Sequence, residues 1–191
     1  MLSLVARYVR KRDSTILDAG AGQGFHSFVL KKMGYNVIAV DIDDSNRTSY
    51  EENRIVFYKL DLENDLLPLE SETVDCILFT EVIEHLRPSR IAFIIDNFYR
   101  VLKIGGVLIL STPNVNSIGK YLRRLVGKPM IPDIHVKEYG MKELIDILTK
   151  RGFKVIFERY SLSTYLNPRK ASKPQNYKSF IAIELFRTPP H

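Results

Sequence analysis

The chain has 191 residues, 45% of them hydrophobic and 26% charged, and carries a net charge of +6. Those proportions are ordinary for a globular α/β protein with a sizeable core, and they exclude disordered and fibrous classes. No apolar run nears the roughly 20 residues that span a bilayer, and the one cysteine, Cys76, excludes an internal disulfide and fits a reducing compartment, the cytoplasm by default.

The first ten residues set apolar side chains at helical spacing and are too short and too basic for a signal peptide. They predict a helix that packs on a sheet. A strand is predicted over 14–19, followed by the glycine-rich turn Asp18-Ala19-Gly20-Ala21-Gly22-Gln23-Gly24-Phe25 and an amphipathic helix from Ser27. Glycines at alternate positions allow a sharp bend and let a ligand lie against the backbone, with the positive end of the next helix behind it. A second strand, 36–41, ends on Asp41, 21 residues after Gly20, where a carboxylate can accept both hydroxyl hydrogens of a ribose. The opening therefore reads as a nucleoside-cofactor site.

Further strands are predicted over 54–59, 73–79 and 103–111, with an amphipathic helix from Ser89 to Leu102 that Pro88 suits at its first turn. Such alternation implies parallel strands joined by right-handed crossovers. Residues 112–139 are irregular and basic, with a short helix expected over 117–126. A helix follows from Met141 to Arg151, ended by Gly152, and two more strands, 153–160 and 179–187, flank a polar loop over 161–178. The expectation is one domain over 1–191, a doubly wound, mostly parallel seven-stranded sheet, with 112–139 and 161–178 as lid-like segments. Seven Lys or Arg and one acid lie between Arg151 and Lys178, and Lys120, Arg123, Arg124 and Lys128 form a second basic cluster. Both read either as solvated surface or as a rim that attracts an anionic substrate, RNA included.

Two segments carry candidate chemistry. In Phe79-Thr80-Glu81-Val82-Ile83-Glu84-His85-Leu86, a helical turn would set Glu81, Glu84 and His85 on one face at the carboxyl end of the fourth strand, where open α/β sheets place ligands. Carboxylates and an imidazole converging there suit a divalent cation, with His135 of Ile134-His135-Val136-Lys137-Glu138-Tyr139 as a fourth candidate. Without an ion, His85 is the obvious general base.

The string D-A-G-A-G-Q-G, with Phe25 where a dinucleotide fold would carry its third glycine, resembles the first motif of class I S-adenosylmethionine-dependent methyltransferases. The resemblance implies a sheet ending in an antiparallel hairpin and a transferase of methyl groups. It places Asp18, Gly20, Gly22 and Gly24 at the amino-acid end of the cofactor and Asp41 on its ribose. Asp61 would receive the adenine amine, with Leu62 covering the ring. E-V-I-E-H-L followed by H-x-x-E-Y is similar to two metal-using groups, ubiquinone-pathway catechol O-methyltransferases and enzymes that methylate the 2′-hydroxyl at the 3′ end of small RNAs. There Glu81, Glu84, His85 and His135 would bind Mg2+ or Mn2+, with Glu81, His85 and His135 at the reacting centre. A small-molecule oxygen is the favoured acceptor, an RNA end the alternative. A non-catalytic cofactor-binding subunit of a partner enzyme is the reading from a different class.

Overall fold

A computed structural model describes residues 1–113, 135–163 and 178–189, with side chains left out of account at 157–163 and 178–184. Most of the expected lid segments (114–134 and 164–177), the helix over 117–126 and most of the basic clusters lie outside the described residues.

The order is α1 (Leu2–Tyr8), β1 (Thr15–Ala19), α2 (Phe25–Lys32), β2 (Asn36–Asp41), α3 (Arg47–Glu52), β3 (Val56–Lys59) and β4 (Val74–Thr80). A 3-10 turn at Ile83–His85 precedes α4 (Pro88–Val101), β5 (Leu102–Pro113), α5 (Met141–Thr149), β6 (Phe153–Ser163) and β7 (Lys178–Arg187). The strands form one seven-stranded sheet in the order β3-β2-β1-β4-β5-β7-β6. β1 to β5 run parallel, while β7 pairs antiparallel with β5 and with β6. The expected doubly wound sheet with a C-terminal antiparallel hairpin is therefore present.

Parallel strands buried on both faces read as near-continuous apolar runs rather than alternating ones, and β4 shows why. Ile77 and Phe79 join Leu17, Ile94 and Phe98 on the face covered by α4 and α5. Cys76 and Leu78 face the other way, with Ile16, Leu30 and Tyr50 under α1, α2 and α3. Burial pushes the Cys76 thiol far above its ordinary range, so it acts as a small apolar side chain.

All five parallel strands open at their carboxyl ends toward one edge, and the order reverses between β1 and β4, which is where such sheets leave a crevice. Among the described residues no helix is long and apolar enough to cross a membrane.

Phe79 and Phe98 are fully buried and meet edge to face at 5.0 Å between centroids. Phe79→Ala should cost about 3–5 kcal/mol, lowering the urea midpoint with an unchanged slope. A loss below about 1 kcal/mol would mean that the α4 face is not packed as described.

Candidate active site

After β1 the chain turns through Gly20 and Gly22, whose φ values of +77° and +54° are left-handed and strained for a residue with a side chain. The turn is pinned to the end of β2, since the Gly20 and Ala21 amides donate to the Val40 carbonyl at 2.8 and 3.1 Å. A Cβ on Gly20 would fall inside the γ-methyls of Val82, whereas a Cβ on Gly22 would meet nothing within 4 Å. The loop is thus pressed against the segment after β4 on one side and open on the other. Gly24 stands at the N-cap of α2, and the Tyr50 hydroxyl donates to the Gly22 carbonyl at 3.1 Å.

Asp18 lies beneath this loop. Its carboxyl accepts from the Ser27 hydroxyl at 2.6 Å and from the Ser27 amide, so it ties the end of β1 to the first turn of α2. Burial pushes its pKa up to about 6 from an ordinary 3.8. Asp18 therefore props the glycine loop from below. Asp41, by contrast, sits at the loop's open side, accepting the Gly22 amide at 2.7 Å and the Asp43 amide at 2.9 Å. Asp61 starts its own turn, taking the Glu63 amide at 2.9 Å and the Asn64 side-chain amide at 2.6 Å. Leu62 beside it is buried in the core on the α4 face.

The segment after β4 departs from expectation. Glu81 has a φ of +58° and precedes the 3-10 turn instead of sharing a helical face with Glu84 and His85. Only Ile83–His85 coil; Leu86 and Arg87 after them are extended with ψ of 150° and 129°, as the residue directly before Pro88 favours. Glu81 is held against β5 instead, its amide donating to the Ser111 carbonyl at 2.8 Å and its carboxylate accepting the Ser111 hydroxyl at 3.0 Å.

The other three candidates converge. One ligating atom from each of Glu84, His85 and His135 lies within 4.8 Å of the other two. Glu84 is 1% exposed, and its carboxylate accepts the Thr112 hydroxyl at 2.9 Å. The side chain of His85 is 39% exposed and so reaches the cleft. The two imidazole rings meet edge to face at 5.0 Å. The segment carrying His135 is fastened to the same turn, because the Val136 and Lys137 amides donate to the Glu84 carbonyl at 2.8 and 3.1 Å.

Sequence reasoning missed several contributors. Tyr50 holds α3 to the sheet by stacking on Phe57 at 4.8 Å and also carries the glycine loop, yet one aromatic among five polar residues gives no periodic signal. Ile42, next after Asp41, is an exposed apolar side chain beside the loop's open side. His26 sits between the loop and β4, its Nδ1 3.5 Å from the Thr80 hydroxyl and its pKa lowered chiefly by burial.

Comparison with known proteins follows this geometry. A family profile described as a methyltransferase domain matches residues 17–110. A "Probable S-adenosylmethionine-dependent methyltransferase" of Mycolicibacterium smegmatis is 30% identical over 145 residues, 73% of this chain and 52% of that protein. A ubiquinone biosynthesis O-methyltransferase of Xylella fastidiosa is 29% identical over 131 residues, 66% of this chain and 52% of its own length. The chain thus spans about half the length of these curated relatives. In fold it is similar to a solved S-adenosylmethionine-dependent methyltransferase of Methanosarcina mazei, with a TM-score of 0.77, 98% of each chain covered and 20% identity.

The buried Asp18 carboxyl has a measurable signature. Its folded value lies above the unfolded one, so the native state holds the extra proton between pH 3.8 and about 6. Stability should fall as pH rises through that window, by on the order of 3 kcal/mol for a shift of this size. Asp18→Asn keeps an acceptor for Ser27 but does not titrate, so urea unfolding of the variant should lack this fall. Parallel pH courses for the two proteins would remove Asp18 as its source.

Proposed function

We propose that this chain, which belongs to the class I S-adenosylmethionine-dependent methyltransferases, transfers a methyl group from that cofactor to an oxygen of a small-molecule acceptor with the help of a divalent cation. The observation that carries the reading is the convergence of Glu84, His85 and His135 in the segment whose Val82 touches Gly20 of the cofactor loop.

The cleft fits the cofactor. The open side of Gly22 leaves room for the ligand's backbone-hugging end, the Asp41 carboxylate offers acceptors for ribose hydroxyls, and Ile42 offers an apolar surface for the base. Asp61 and Leu62 would complete the adenine end. Gly20 and Gly24 shape the turn, and Asp18 supports it through Ser27.

The donor set also fits a cation. Two imidazole nitrogens and one carboxylate suit Mn2+ or another transition ion better than Mg2+, which prefers oxygen ligands and near-ideal octahedral geometry. Such an ion supplies orientation and lowers the pKa of the oxygen it binds. Holding the acceptor in line behind the sulfonium carbon is the chain's own task, and positioning of that kind is worth about 7–11 kcal/mol in favourable cases. Glu81, fixed to Ser111 beside the cluster, would border the acceptor. The name of the Xylella relative supports an oxygen acceptor, and vicinal oxygens, as in a catechol or the 3′ end of an RNA, match a single ion flanked by protein ligands.

Two measurements test this. Calorimetric titration of Mn2+ into protein saturated with S-adenosylhomocysteine should show micromolar binding that disappears in a Glu84→Ala, His135→Ala double variant. Absence of specific binding would leave a metal-free transferase with His85 as base. Gly22→Ala should weaken S-adenosylhomocysteine binding at least about tenfold while costing only ~1 kcal/mol of stability, the usual penalty for a strained backbone residue. Unchanged affinity would place the cofactor away from this loop.

A further inference from the structure

We infer that Glu138 is a positioning residue for the candidate metal centre, holding Nδ1 of His135 so that Nε2 is the nitrogen presented to the ion. The inference rests on the metal reading above and deepens it.

The His135 Nδ1 and Glu138 Oε1 atoms lie 3.0 Å apart, with the two side chains 7% and 0% exposed. A neutral imidazole carries one N–H and one lone pair, and a carboxylate can only accept. The carboxylate therefore requires the proton on Nδ1 and leaves the lone pair on Nε2. Burial matters because water is kept from competing for Nδ1, and the ring loses its freedom to flip between orientations.

The remaining contacts fix the same geometry. The main chain just after His135 is clamped to the Glu84 carbonyl, as described, so the His135 ring can differ from its present position only by rotating about its own bonds. Glu138 removes that rotation. Tyr139, the next residue, is buried in the core on the α4 face and anchors Glu138 from its other side. Thr112 does for Glu84 what Glu138 does for His135, since its hydroxyl occupies one carboxylate oxygen. Each of these two ligands thus has a partner that orients it. The spacing His135-x-x-Glu138 then has a physical reason: the fourth residue of the segment belongs to the site without touching the ion.

The test uses the whole chain and two readouts. Long-range proton–nitrogen spectra of 15N-labelled, metal-free protein report the tautomer of each of the four histidines, with His135 assigned by its loss in His135→Gln. His135 should be the Nδ1-protonated tautomer in the wild type. In Glu138→Gln, whose side-chain amide both donates and accepts, it should become a mixture. In calorimetry with S-adenosylhomocysteine present, Glu138→Gln should bind Mn2+ about 10–100-fold more weakly, the usual effect of losing a ligand's hydrogen-bond partner. An Nε2-protonated His135 in the wild type would overturn the inference even if the variant failed to fold. Equal Mn2+ affinity in wild type and variant would overturn it while leaving the metal centre standing. A wild type that binds no Mn2+ would instead remove the metal centre itself.

Discussion

Gly20 has no room for a side chain, and much of the site follows from that. Its α-carbon rests against the Val82 methyls, so the loop that would take the cofactor and the turn that carries Glu84 and His85 share a packed contact. Neither can shift far without the other, because close-packed groups transmit displacement instead of absorbing it. In-line transfer depends on the distance between donor carbon and acceptor oxygen, and a shared wall is a direct way to fix it. The Gly20 and Ala21 amides bind the loop to β2 on its far side, so it is held from two directions.

Two buried carboxyls support this frame in different ways. Asp18 and Glu84 each accept from a hydroxyl on another element, Ser27 in α2 and Thr112 in β5. The Ser27 hydroxyl and amide offset the cost of burying Asp18 only in part. For Asp18 the outcome is a raised proton affinity, consistent with a structural prop. Glu84 lies beside two imidazoles, in a place where a cation would complete its neutralisation. Two carboxyls of similar burial thus stand in different surroundings, one under the glycine loop and one beside the imidazoles.

Most of the fold could be read from the chain because strands covered on both faces leave unbroken apolar runs: β2 falls where its run predicts, and β1, β3 and β4 begin or end within two residues of theirs. Arg47–Glu52 was not legible, since a helix held by Tyr50 alone has no repeating apolar stripe. The glycine turn was legible from its spacing, but the contact of Asp18 was not: sequence shows an acid at the end of a strand, and only the fold shows that it meets Ser27. Glu81 was misplaced for a comparable reason. The i, i+3, i+4 spacing assumes a continuous helix, whereas the turn covers only Ile83–His85 and begins after Glu81. Glu138 stood in the H-x-x-E-Y string, but only the fold shows its carboxylate beside Nδ1 of His135.

The order of the last two strands has a consequence for biosynthesis. β7 lies between β5 and β6, although β6 comes first in the chain. As the protein leaves the ribosome, β6 therefore has no partner within the sheet until β7 has emerged. During that interval β5 presents an unpaired edge, and such edges invite pairing with other chains. The half that carries the glycine loop, by contrast, closes among β1 to β4, all translated earlier. Nascent protein would thus complete the surroundings of the glycine loop before the open edge of β5 is covered.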